Sequence, residues 1–169
     1  MSDTNTTATE GILSFDFHAP CEKADTNVPQ GLMSVDFIVD SGDTLYLIEV
    51  KDFEHPNAPP ENKKRDYKKL TDPNAAFPLE MGMKVKDTIL RLYSNSKEFT
   101  KPVIFILLIK LAKLEPRERQ RLFAQTKKYI PTGLNNSPKF SKIHLDVPTF
   151  QDFQSKYGFS VTFAQNKIT

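Results

Sequence analysis

Apolar residues along this chain follow two patterns, and each predicts a different element. Alternating or continuously β-branched runs predict strands over residues 12–17, 33–39, 45–52, 103–109, 142–147 and 159–164. Residues 33–39 and 45–52 flank Ser41-Gly42-Asp43, a turn signal, and together read as a β-hairpin. The run from Val103 to Ile109 has no polar position, which is the pattern of a strand buried on both faces. Helical spacing relates Met81, Val85, Ile89 and Leu92, so a helix is expected from Pro78 to Tyr93. Pro116 opens a second helix to Tyr129, and residues 150–157 form a short third.

Between these elements, residues 18–32 read as an irregular connection. Residues 54–77 form a long polar one, broken by Pro56, Pro59, Pro60 and Pro73. Connections of that length in a compact domain are usually functional or mobile. Residues 1–10 are rich in Thr, Asp, Asn and Ser and are expected to be a loose tail, leaving 11–169 as one domain. The order β-β-β-α-β-α-β-α-β predicts an α/β fold with a mixed central β-sheet flanked by helices.

Charge narrows the partners. With 23 basic and 21 acidic residues the 169-residue chain carries only +2, so a nucleic acid would have to be held by a local patch. A single cysteine, Cys21, rules out an internal disulfide and fits a reducing compartment, so a cytoplasmic location is expected. The most apolar run is too short to cross a bilayer, and no membrane partner is expected. His18, His55 and His144 lack zinc spacing, and no glycine-rich phosphate loop is present.

The hairpin carries the candidate chemistry. If Gly42-Asp43 is a two-residue turn, Ser41 pairs with Thr44, and counting back sets Asp36 opposite Glu49. Opposed residues on antiparallel strands share a face with Cβ atoms about 5 Å apart. Two carboxylates at that distance can grip one hard cation, and Lys51 points to the same face. Glu49 and Lys51 follow Leu45-Tyr46-Leu47-Ile48, where a charge is costly without a partner. The plainer alternative is a partly exposed ion pair at a strand end.

Asp36, twelve intervening residues, Glu49, one residue and Lys51 resemble the PD-(D/E)xK nuclease superfamily, which has the restriction-endonuclease-like fold. The resemblance is close over residues 36–51 and extends loosely to Lys110. It implies a hairpin carrying two acids and a lysine, followed by a helix and another strand. It further implies a metal-dependent nuclease acting on nucleic acid, with DNA the expected polymer, and a possible homodimer. Asp36 and Glu49, with the Val50 carbonyl, would hold Mg²⁺ or Mn²⁺, since Mg²⁺ typically takes only one or two protein carboxylates. Lys51 would orient or deprotonate the water, or neutralise developing charge. Val35 stands where the proline that names the family would be. Many members carry a further upstream acid; here Glu10, Asp16, Glu22 and Asp25 all remain candidates.

On a helical wheel, Glu80, Lys84, Asp87 and Arg91 lie opposite the stripe from Met81 to Leu92, and Lys86 falls in a wider apolar arc with Met83 and Leu90. Either lysine could reach the site, and the resemblance favours Lys84 as a further catalytic residue. Lys63, Lys64, Arg65, Lys68 and Lys69 place five basic residues in seven, interleaved with Tyr67, as a candidate clamp on a nucleic-acid backbone. The rival reading is a non-catalytic nucleic-acid-binding or protein-interaction module on the same fold.

Overall fold

The computed structural model describes residues 5–72, 76–95, 101–132 and 142–163, with the side chains of Lys63, Asp66, Thr71 and Phe163 outside the described part. The strands are β1 (Thr6–Glu10), β2 (Leu13–Phe17), β3 (Cys21–Lys23), β4 (Phe37–Asp40), β5 (Leu45–Asp52), β6 (Val103–Lys110), β7 (Ile143–Asp146) and β8 (Ser160–Phe163). The helices are α1 (Pro60–Thr71), α2 (Phe77–Asn95), α3 (Pro116–Lys127) and α4 (Phe150–Tyr157). A five-stranded mixed sheet has the order β3-β4-β5-β6-β7, and a three-stranded antiparallel sheet has the order β1-β2-β8. β3, β4 and β5 are antiparallel neighbours, while β5, β6 and β7 run parallel.

Alternation along the central strands divides the core. Leu45, Leu47, Phe105 and Leu107 face Met81, Val85 and Ile89 of α2 and Leu122 of α3. Ile48, Val50, Ile106 and Leu108 face Leu13, Phe15 and Phe17 of β2, together with Phe153 of α4 and Phe159. A strand apolar on both sides is what two covered faces require. The main sheet therefore lies between helices on one side and the smaller sheet with α4 on the other. Among the described residues, no helix is long and apolar enough to cross a membrane.

The mixed central sheet, the hairpin turn and the later helices match the expectations from periodicity. Several other expectations do not hold. The supposed loose tail is corrected by β1: Thr6–Glu10 pairs with β2 through a tight turn in which Gly11 takes φ 58°. Thr6, Thr7 and Thr9 make a strand without an apolar signal, because β-branching suits a pleated edge. Within the supposed irregular connection, Cys21–Lys23 adds an edge strand.

The long polar connection contains α1, with Pro60 in its first turn, where a missing N–H costs nothing. The first arm of the hairpin starts at Phe37 rather than Met33. Residues 33–35 are instead held by α2: Met33 N donates to Asp87 Oδ2 (2.9 Å) and Val35 N to Thr88 Oγ1 (3.2 Å).

Candidate metal site

The site grows from the end of β5. Leu47, Glu49 and Lys51 alternate onto the face covered by α2, and Glu49 is wholly buried there. Its Oε1 accepts from Lys51 Nζ at 2.6 Å and from Lys84 Nζ at 2.7 Å. Its Oε2 is buried with no hydrogen-bond partner. A buried carboxylate oxygen without a donor is costly, so this atom marks a place suited to a cation.

Asp36 arrives from the other arm, though not by the simple register. The β4–β5 ladder runs from Asp40↔Leu45 to Phe37↔Ile48, in the register that the turn predicts. Asp36 N then also donates to Ile48 O (3.1 Å), so Asp36 and Phe37 share one partner and the chain bends as at a β-bulge. The bend replaces the expected Asp36–Glu49 cross-strand pair. In its place Asp36 Oδ2 accepts from Val50 N at 2.7 Å, and Oδ1 lies 4.0 Å from Lys84 Nζ. Lys84 therefore stands between the two acids. Val50 meets Asp36 through its N–H, and its carbonyl is the group expected on the cation.

Electrostatics follow from this burial. Desolvation, then the neighbouring charge of Glu49, pushes the Asp36 carboxyl from 3.8 up to about 7, against the pull of the Val50 N–H and Lys84. Burial works against the charge on Lys51, but attraction and a hydrogen bond from Glu49 outweigh it and its pKa is raised. Lys51 thus stays an ammonium, while Asp36 is poised to take or release a proton near neutrality.

The four upstream acids separate cleanly. Glu10 and Asp25 bring carboxylate oxygens within 4.8 Å of one another and of Asp36. Lys23 lies 3.2 Å from Glu10. Asp16 instead accepts from Thr7 (2.7 Å) and Ser160 (3.2 Å), and Glu22 pairs with Arg91 (3.1 Å). The donors around Asp36 are all carboxylate oxygens, the set that hard divalent cations prefer. Three carboxylate oxygens at this spacing could hold such an ion, while the orphaned Glu49 Oε2 lies outside that group.

Helix α2 carries a correction. Lys84, Asp87 and Arg91 do not face away from the sheet; they reach the strap of residues 22–36 and the site, with Arg91 Nη1 donating to Ala24 O at 2.9 Å. Lys86 is exposed beside exposed Met83 and Leu90, so the wider apolar arc points outward and Lys86 is not in the site. The strap covers the polar edge of α2, and a wheel drawn from one helix cannot show it.

Lys64, Arg65, Lys68 and Lys69 lie exposed on α1, and Lys63 belongs to the same helix with its side chain outside the described part. Tyr67 ties that helix to α3 by donating to Glu118 Oε1 at 2.7 Å. Comparisons of the chain with family models, with curated proteins and with solved structures give no match.

Proposed function

We propose that this chain is a divalent-metal-dependent nuclease on a restriction-endonuclease-like core, hydrolysing phosphodiester bonds of DNA or RNA. One observation carries the reading: Asp36, Glu49, Lys51 and Lys84 converge at the end of a buried strand, and Glu49 takes both lysines on one oxygen and none on the other. The oxygen of Glu49 without a donor is the one that remains open to a cation. The order of antiparallel hairpin, helix and adjacent parallel strand supports the fold assignment.

Asp36 and Glu49 would hold Mg²⁺ or Mn²⁺, with Glu10 and Asp25 supplying further oxygens beside Asp36. When bound, the ion supplies Lewis acidity toward a phosphate oxygen and a water. Lys51, partly exposed and kept charged by Glu49, orients the attacking water or offsets charge on the phosphate. Lys84 adds a second positive group from the helix side. The exposed basic residues of α1 hold the nucleic-acid backbone, and a second copy of the chain would deliver the second cut of a duplex.

A second reading is favoured by the same lysines, since they already neutralise Glu49. In that reading the cluster is an ion-pair core and the protein a non-catalytic nucleic-acid-binding or protein-interaction module. The deciding experiment incubates the full chain with plasmid DNA, single-stranded DNA and RNA in Mg²⁺, in Mn²⁺ and in EDTA. Metal-dependent cleavage supports the nuclease, and binding without cleavage supports the module.

A further inference from the structure

Beyond the acid–lysine cluster, a cavity of about 390 Å³ lies between the end of β5, helix α1 and the loop after β6. That volume falls in the range of small-ligand sites. Its lining is Phe53, Tyr67 and Leu111 with Glu54, Lys64 and Lys113. Phe53 is two residues beyond Lys51, and like Glu49 and Lys51 it belongs to the side of the sheet covered by α2. The cavity lining thus begins two residues along the chain from Lys51.

Its frame is fixed. Phe53 N donates to Lys110 O at 3.1 Å, and the ring meets Phe77 edge-on at 6.3 Å between centroids. The Tyr67 hydroxyl is anchored on Glu118, and Glu54 Oε1 accepts from Ala112 N at 2.7 Å, which pins the loop bearing Leu111. Two aromatic rings and a leucine offer a planar, apolar ligand a stacking surface. Two lysines against one glutamate leave the lining positive, suited to an anion. An aromatic platform beside cationic side chains is the composition that binds unstacked bases of a single strand.

We infer that this cavity holds one unstacked nucleotide of the substrate strand, its base against Phe53, Tyr67 and Leu111 and a phosphate toward Lys64 and Lys113. The inference rests on the nucleic-acid reading for the class of partner but not on cleavage. A free mononucleotide shares the same chemistry, and the test separates the two sources.

The experiment measures anisotropy of labelled dT12, and of dT12 with a single abasic residue moved along it, on the full chain in EDTA. At one position the missing base is expected to weaken binding about tenfold or more, the scale of one base–aromatic stack. Tyr67→Ala should abolish that position-specific loss, Tyr67→Phe should retain it, and Lys113→Ala should weaken intact and abasic strands alike. Free dTMP should compete only at far higher concentration than dT12. An absence of dT12 binding, no position-dependent loss, a loss that persists in Tyr67→Ala, or dTMP competing as well as dT12 would each overturn the inference. None of these outcomes depends on metal, so absence of cleavage elsewhere leaves this result standing, and its failure leaves the cleavage reading intact.

Discussion

Lys84 Nζ lies 2.7 Å from Glu49 Oε1, and this contact joins the middle of α2 to the buried end of β5. Replacing Lys84 with Met keeps the aliphatic length but leaves Glu49 with Lys51 alone. Removing one partner of a buried ion pair costs about 3–5 kcal/mol. The remaining lysine softens that loss, so Lys84→Met is expected to lower stability by about 2–3 kcal/mol. Urea unfolding in EDTA checks this, and the double variant Glu49→Gln, Lys84→Met should lose less than the sum of the two singles.

Lys51 and the α1 lysines have separable roles in this account. Lys51→Ala should cut metal-dependent cleavage by about two orders of magnitude, the scale of losing an electrostatic stabiliser, with little change in nucleic-acid affinity. Lys64→Ala with Lys68→Ala should weaken binding and flatten its dependence on salt. Cleavage and binding titrations of the two variants at several ionic strengths should give these opposite signatures.

Asp36 makes metal-free stability fall as pH rises. Burial and Glu49 move its carboxyl from 3.8 to about 7, so between those values the folded chain holds a proton that the unfolded chain has lost. Asp36 therefore favours folding most in acid, and the advantage is lost on rising through about pH 7. The full effect is at most about 4 kcal/mol, at roughly 1.4 kcal/mol for each pKa unit. Lys51 acts in the other window: its raised pKa keeps its contribution intact until the pH exceeds its ordinary value of 10.5. Denaturation in EDTA should show lower stability at pH 8 than at pH 5.5, Asp36→Asn should flatten that slope, and added Mg²⁺ should stabilise more at pH 8.

Gly82 lets α2 approach the turn that follows α3. A Cβ at this position would sit 2.3 Å from Tyr129 Cβ and 2.9 Å from Tyr129 O. Ala would gain about 1 kcal/mol of helix preference over Gly. The clash is with backbone and Cβ atoms, which cannot swing aside, and overpacking of this kind costs about 1–3 kcal/mol. Gly82→Ala is therefore expected to lower the melting temperature despite its better helix propensity.

Periodicity made the core legible. The apolar run of β6, the stripe of α2 and the turn at Gly42-Asp43 all correspond to observed elements. Asp36, Glu49, Lys51 and Lys84 come together, but the route differs, because nothing in the residue types marks the bend at Asp36. Glu10 was one acid among four for a physical reason: its strand has no apolar alternation, and its approach to Asp36 depends on how β1 lies beside β3. Helix α1 was hidden by prolines that act as starters rather than breakers. A single cue at Glu10 was available, since Gly11 followed by the Leu13–Phe17 alternation allows a tight turn that folds residue 10 back onto residue 13.

The central claim is that the carboxylates at Asp36 and Glu49 run a metal-dependent phosphodiester hydrolysis. Its most direct measurement compares cleavage of labelled DNA and RNA by the wild-type chain, Asp36→Asn and Glu49→Gln in Mg²⁺, in Mn²⁺ and in EDTA, with each variant shown to be folded. Cleavage by the wild type that needs the metal and falls at least a hundredfold in both variants is the predicted result. No cleavage of any substrate by the wild type, or cleavage that survives loss of either carboxylate, would contradict it.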